Sequence, residues 1–408
     1  MTRSLQKLIP VLLTVSSVFA SFPEARSAQT QFLVEGNTAF ALDLYGRLKT
    51  GSGNLFFSPY SISTCLAMTY AGARTGTEKQ MGQTLHFEKN QPGLHSAFGE
   101  LQRQLSEASK QKGIELSIAN ALWTQRDSPL LPAFLQIAKG EYQANVSQAD
   151  FKNEAEDARD KINLWVAQKT KEKIQDILPP GSLTELTRLV LANAIYFKGV
   201  WATQFEKSET ANQPFHLSTA RTVDAPLMHH LDEVGYMEDR DFQAVELPYK
   251  GAELSMVILL PRQIDACGTL EDRLTPAFLS RSISGVKKRR KVEIFLPRFK
   301  LESSFELNGT LAKLGMPDAF GTKADFSGMD ATKLLYISSV FHKAWGEVNE
   351  EGTEAAAATA VVVHPTSLEI KQPPPPPIFR ADHPFIFLIR DTRSGSVLFL
   401  GRLADPTH

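Results

Sequence analysis

The second half of the chain is written almost wholly in strands. From "LTRLVLANAIYFKGVW" at 186–201 onward come "QAVELPYKGAELSMVILLP", "RKVEIFLPRF", "PFIFLIRD" and "SVLFLGRL". Apolar runs this dense in Val, Ile, Leu and Phe suit strands buried on both faces. Helical periodicity gathers earlier. It is found in "NTAFALDLYGRL", where Asn37 is expected as the cap, in the segment after the short strand "NLFF", in a charge-mixed region to about Lys112, and in "DARDKINLWVAQKT". "IELSIANALWTQ" reads as a strand, and Glu302 to Gly315 as one later helix. No linker-like composition separates the halves, so the expectation is one large α+β domain over 30–408.

The N-terminus stands apart. Arg3 and Lys7 precede the apolar "LIPVLLTVSSVFA", which ends on small residues. That order reads as a secretory signal peptide over residues 1–20, too short for a membrane span. The expected location is extracellular, or periplasmic in a bacterium. Only Cys65 and Cys267 occur, so the fold is held by its core and not by a disulfide framework. Asn145-Val-Ser and Asn308-Gly-Thr match the glycosylation pattern. A formal net charge of −1 gives no general reason to expect a nucleic-acid partner.

Catalytic signatures are absent from the sequence: no H-E-x-x-H, no G-x-S-x-G, no P-loop and no dinucleotide fingerprint. His229-His230 lacks a carboxylate or thiol at ligand spacing and reads as a surface pair. The chain is therefore expected to be no enzyme, and to need neither cofactor nor metal. Lys287 to Lys291, within "VKKRRK", is either a polyanion patch or a solvated turn guarding the next strand, and the turn is favoured.

Two neighbouring stretches remain, "EEGTEAAAATAVVVHPTS" at 350–367 and "PPPPP" at 373–377. Prolines cannot donate to a ladder, so they mark an exposed spacer and place a long loop between strands. Read at strand period, Thr353, Ala355, Ala357, Thr359, Val361 and Val363 share one face of small or β-branched side chains, with Glu354 on the other. No proline interrupts 352–364, and Gly352 supplies backbone freedom. The stretch reads as a strand that has yet to find a sheet.

"NLFFSPYSI", "LANAIYFKGVW", "ELPYKGAELSMVILLP", "VEIFLPRFKLE", "FHKAWGEVNEEGTEAAAAT", "FRADHPFIFLIRD" and "LFLGRLADP" follow one another in the order found in serpins. Over nearly the whole mature chain the sequence resembles that family, in its inhibitory form. The resemblance implies a serpin fold, with three β-sheets, surrounding helices and an exposed reactive-centre loop, working as a monomer. It implies a protein that traps a serine protease as a suicide substrate: the loop is cut, and its hinge inserts as a new strand. Residues 350–378 would hold the hinge, loop and proline segment.

The resemblance also assigns roles. Glu350, Glu351, Gly352, Thr353, Glu354, Ala355, Ala356, Ala357, Ala358 and Thr359 form the hinge. Ser58, Ser61, Asn193 and His342 form a shutter beneath the sheet, and Trp201 stands at the breach where insertion starts. Family spacing puts the cut at Thr366-Ser367, which favours an elastase-like target. The segment after Ser367 is longer than in typical members, and a slipped register would make His364, Leu368 or Lys371 the bait. A non-inhibitory binding or carrier protein and a cysteine-protease inhibitor remain as alternatives.

Overall fold

A computed structural model describes residues 28–87, 90–352 and 374–407. The leader, most of the hinge (353–359), and Thr366, Ser367, His364, Leu368 and Lys371 lie outside the described residues.

Strands in the first part of the chain are β1 (Leu55–Phe57), β2 (Ile114–Gln125), β3 (Asn145–Ala149), β4 (Leu189–Gly199), β5 (Ala211–Ser218), β6 (Arg221–Glu238) and β7 (Phe242–Pro248). They continue with β8 (Leu254–Pro261), β9 (Arg289–Pro297), β10 (Phe299–Glu306), β11 (Ile337–Val348), β12 (Ile378–Arg380), β13 (Phe385–Asp391) and β14 (Val397–Leu403). The helices are α1 (Ala28–Leu48), α2 (Pro59–Tyr70), α3 (Thr75–Thr84), α4 (Gln91–Ala108), α5 (Pro132–Gly140) and α6 (Ala155–Lys169), then α7 (Cys267–Asp272), α8 (Pro276–Gly285), α9 (Asn308–Leu314) and α10 (Ser327–Asp330).

One sheet has the order β10-β11-β4-β2-β3. The others form a path β1-β14-β13-β8-β7-β6-β9-β12, with β5 also on β6. Along β6, residues 221–227 pair with β5, 227–235 with β9, and only 235–238 with β7. This long strand thus ties the two ends of one nine-stranded sheet together, and with the five-stranded sheet and the helices it makes the α+β architecture expected.

The alternation of β4 explains why the first sheet is buried on both sides. Leu189, Leu191, Ile195 and Phe197 enter the main core, while Val190, Ala192, Ala194 and Tyr196 enter a second one. α6 closes the second core with Ala158, Ile162 and Val166. The small side chains Ala119, Ala121, Ala192 and Ala194 let the helix lie close. Beneath the other face runs α2, every residue of it buried, started by Pro59 and capped by the Ser58 side chain accepting from the Ser61 amide.

Three local expectations need correction. Asn37 does not cap a helix, because α1 begins at Ala28; its buried side chain instead accepts a hydrogen bond from Ser63 of α2 (2.6 Å). Glu302 to Glu306 is strand, since β11 is available to pair it, and the helix starts only at Asn308. Asn308 is no free glycosylation acceptor either: its amide donates to the Ser338 carbonyl (2.6 Å) and accepts from the Val340 amide (2.9 Å). Cys65 and Cys267 are buried free thiols, and burial pushes each up to about 12.

Candidate functional site

The first sheet contains a seam. β4 and β11 are direct neighbours and run parallel, from Ile337↔Leu189 to Trp345↔Tyr196. Their outer partners, β2 on β4 and β10 on β11, are antiparallel. A strand entering the seam in the opposite sense would replace one parallel ladder by two antiparallel ones, the more stable arrangement per residue.

The chain at the end of β11 has already turned in that sense. Asn349 and Gly352 exchange backbone hydrogen bonds (2.7 and 3.1 Å), which closes a tight turn, and Gly352 then bridges Val200 antiparallel. Gly352 has φ +127°, and a Cβ there would sit 2.1 Å from the Gly199 carbonyl oxygen and 2.6 Å from the Trp201 nitrogen. Only glycine fits so close to a neighbouring backbone.

The residues after β4 hold this turn. Trp201 donates its amide to the Glu351 carbonyl (2.9 Å) and its indole N–H to that of Asn349 (3.0 Å), and it stacks on Tyr249 at 4.5 Å. The Phe205 amide donates to the Glu350 carbonyl (2.9 Å), and Lys207 pairs with Glu351 (2.6 Å). Glu350 is 2% exposed and accepts from Thr210 (2.5 Å) and Arg298 (Nε, 2.6 Å). Burial pushes its carboxyl upward, but those hydrogen bonds and the guanidinium charge outweigh that and hold it below its usual range.

Halfway down the seam lies the polar cluster. The Ser58 amide donates to His342 Nε2 (3.1 Å), and the Ser58 hydroxyl donates to the Leu398 carbonyl (2.5 Å). A backbone amide can only donate, so Nε2 accepts, and the neutral ring must carry its proton on Nδ1. Nδ1 therefore donates to Asn193 Oδ1 (2.5 Å), across the seam. Asn193 Nδ2 in turn donates to the Ser61 carbonyl (3.1 Å), the Ser61 hydroxyl oxygen (2.5 Å) and Asn120 Oδ1. Ser58, Ser61, Asn193 and His342 are all fully buried. Burial pushes His342 down to about 3, so it stays neutral.

A strap crosses the seam on the α6 side. Lys343 of β11 donates to the Gln175 carbonyl (2.7 Å), Lys173 lies over the Trp345 ring (4.8 Å), and Lys171 pairs with Glu115 of β2 (2.6 Å). Residues 171–175 thus bridge β2 and β11 across the seam.

The structure thus gathers Ser58, Ser61, Asn193 and His342 into one cluster, and seats Trp201 on the turn formed by Glu350, Glu351 and Gly352. Residue patterns alone do not point to Asn120, Thr210, Lys207 or Arg298. Asn120 does face Asn193 in register, a relation that appears only once β2 and β4 are paired. His229 is not a bare surface pair with His230: it lies between Glu209 (3.0 Å), at the end of a short helical turn, and Glu293 (3.3 Å) of β9. Among the described residues no group of three or more His, Cys, Asp or Glu is placed to hold a metal, and no helix is long and apolar enough to cross a membrane. In the basic run, Arg289 to Lys291 belong to β9, where Arg290 pairs with Glu238 (3.6 Å) and lies over Tyr236.

Comparison with known proteins defines the class. Residues 35–406 match the serpin family, described as serine protease inhibitor. The human leukocyte elastase inhibitor is 42% identical over 387 residues, covering 92% of this chain and 99% of that protein. The leukocyte elastase inhibitor A of Rattus norvegicus is 41% identical over 384 residues, with the same coverage of both chains. Among solved structures, uncleaved ovalbumin superposes with a TM-score of 0.81 at 29% identity, over 92% of this chain and 100% of that one. The chain belongs to the serpin family.

Proposed function

We propose that this chain is a secreted inhibitor that traps serine proteases of elastase type as a suicide substrate. The observation that carries the reading is the Gly352–Val200 bridge, in which the hinge has turned antiparallel to β4 at the mouth of a parallel seam. Continued downward, that register sets Thr353 beside Gly199, Ala355 beside Phe197, Ala357 beside Ile195 and Thr359 beside Asn193. All would then point into the main core face, and Glu354 to the opposite one. Small side chains desolvate there at little cost, as a fast insertion requires. The intact form is the metastable one, kept by a kinetic barrier at the seam.

Thr366 as the residue before the cut is medium-sized and suits an elastase-like pocket, and the relatives named as leukocyte elastase inhibitors support that class. Secretion rests on the leader-like sequence at 1–20. The test mixes the purified protein with neutrophil or pancreatic elastase and follows denaturing gels and intact mass. A denaturation-resistant adduct and a released peptide starting at Ser367 are expected. Complete cleavage without adduct would instead identify a non-inhibitory binding protein.

A further inference from the structure

His229 and His230 are neighbours on β6, so their side chains leave the strand on opposite faces. Both abut residues 201–210, the segment that holds the turn at Asn349–Gly352. Trp201 and Phe205 hold that turn through their amides, Lys207 and Thr210 through their side chains. His230 lies on the inner side, where its ring stacks on Phe205 at 4.1 Å. Burial holds that ring below its usual range and neutral.

His229 lies on the outer side, in one row with Phe295 of β9 and Arg380 of β12. Its ring packs on Phe295 at 4.6 Å. Its Nδ1 is 3.0 Å from a Glu209 carboxylate oxygen, and its Nε2 is 3.3 Å from one of Glu293. Nε2 is buried and makes no hydrogen bond. A neutral imidazole has one N–H and one lone pair. Whichever nitrogen holds the proton, the other turns its lone pair on a carboxylate. Only the imidazolium offers a donor to both.

The two carboxylates belong to different anchors. Glu209 ends the short helical turn Lys207–Glu209, directly before Thr210, whose hydroxyl donates to Glu350 (2.5 Å). Glu293 belongs to β9, and its amide donates to the Pro377 carbonyl (3.0 Å).

We propose that His229 is a proton-operated clasp, which on taking up a second proton ties residues 207–210, and with them the turn at Asn349–Gly352, to β9. The clasp acts on the fold itself and is independent of which protease, if any, cuts the loop. Histidine is the side chain whose charge ordinarily changes between pH 5 and 8. The charged groups facing His229 are Glu209 from the 207–209 turn and Glu293 from β9. Arg380 of β12 lies across Phe295 (4.4 Å from that ring) and is itself paired with Asp382 (2.9 Å). His230 and Asp232 leave β6 on the other side.

The test is hydrogen exchange, read by mass spectrometry on the peptide covering residues 200–210, from pH 8.0 to 5.5. Each rate is divided by the intrinsic rate at that pH. Intact protein, H229Q and E209Q are compared after thermal melting confirms that each variant folds. Protection in the parent should rise about fivefold as pH falls, the scale of one partly exposed ion pair. In both variants it should stay flat within twofold. A general effect of acid has the opposite sign, since His342 and His95, both buried neutral, lower global stability as pH falls. A rise below twofold in the parent, or a rise that either variant keeps, overturns the proposal.

Discussion

His342 of β11 donates its Nδ1 proton to Asn193 Oδ1 of β4 at 2.5 Å, a side-chain tie across the seam that a new strand would have to part. Thr359, by register, would arrive between these two residues. On the proposed mechanism, this pair marks the depth to which the hinge would travel. Asn193→Ala removes the acceptor of the His342 proton and the donor to Ser61, leaving a buried donor on His342 and buried acceptors on Ser61, a loss of about 2–3 kcal/mol. Urea unfolding of the intact protein should show its midpoint moved down accordingly, and native gels should show conversion to inserted or polymeric forms at a lower temperature.

The same histidine predicts a pH dependence. Its folded-state value lies at about 3, below the usual 6.5. A depressed value means that the unfolded chain takes up the proton more readily. The contribution to stability is thus complete above about pH 6.5 and is lost progressively as pH falls toward 3. His95, buried and pushed down to about 4, slopes the same way. His342→Gln should therefore flatten, without abolishing, the stability loss measured between pH 6.5 and 4.

Arg298 and Glu350 tie the end of β10's neighbouring turn to the start of the hinge. Glu350→Lys would place a cation where Arg298 already stands, beside a buried backbone. A destabilisation of about 1–3 kcal/mol is expected, discounted because Arg298 is partly in solvent. The measurement is the unfolding midpoint of E350K against Arg298→Met, which should cost less, since Thr210 still bonds the carboxylate.

Gly352→Val is strained in two ways, by φ +127° and by the Gly199 carbonyl oxygen at 2.1 Å from any Cβ. The turn onto Val200 would be unseated, so insertion starts later relative to deacylation. More molecules of inhibitor should be consumed per protease trapped, as counted by titration, with the rate of loop cleavage unchanged.

Thr359→Arg places a charge opposite Asn193 and His342, on the core face of the seam. Burying it unpaired is too costly for insertion to compete. The variant should be cut as fast as the parent yet leave free, active elastase.

Much of this architecture is legible in the order of residues along the chain. The Ser58-Pro59 helix start and the strand character of β4 follow from residue chemistry and period. The joint roles of Ser58, Ser61, Asn193 and His342 come from family resemblance, because no spacing links four polar residues spread over separate segments. Asn120 stays hidden, since one polar residue in an alternating strand looks solvent-facing until its partner strand is known. Arg298 looks like an ordinary basic residue after a strand, for the acid it serves is 52 residues away. Asn37 misleads because an Asn before an apolar run is usually a cap, whereas here it bonds a neighbouring helix.

On the proposed mechanism, the seam between β4 and β11 waits for a strand. Its most direct measurement is the thermal unfolding of the intact protein and of the same protein nicked in its loop by a protease that it does not trap. The nicked form is expected to melt tens of degrees higher, having exchanged one parallel ladder for two antiparallel ones. An unchanged or lower melting temperature would mean that the hinge never enters the sheet.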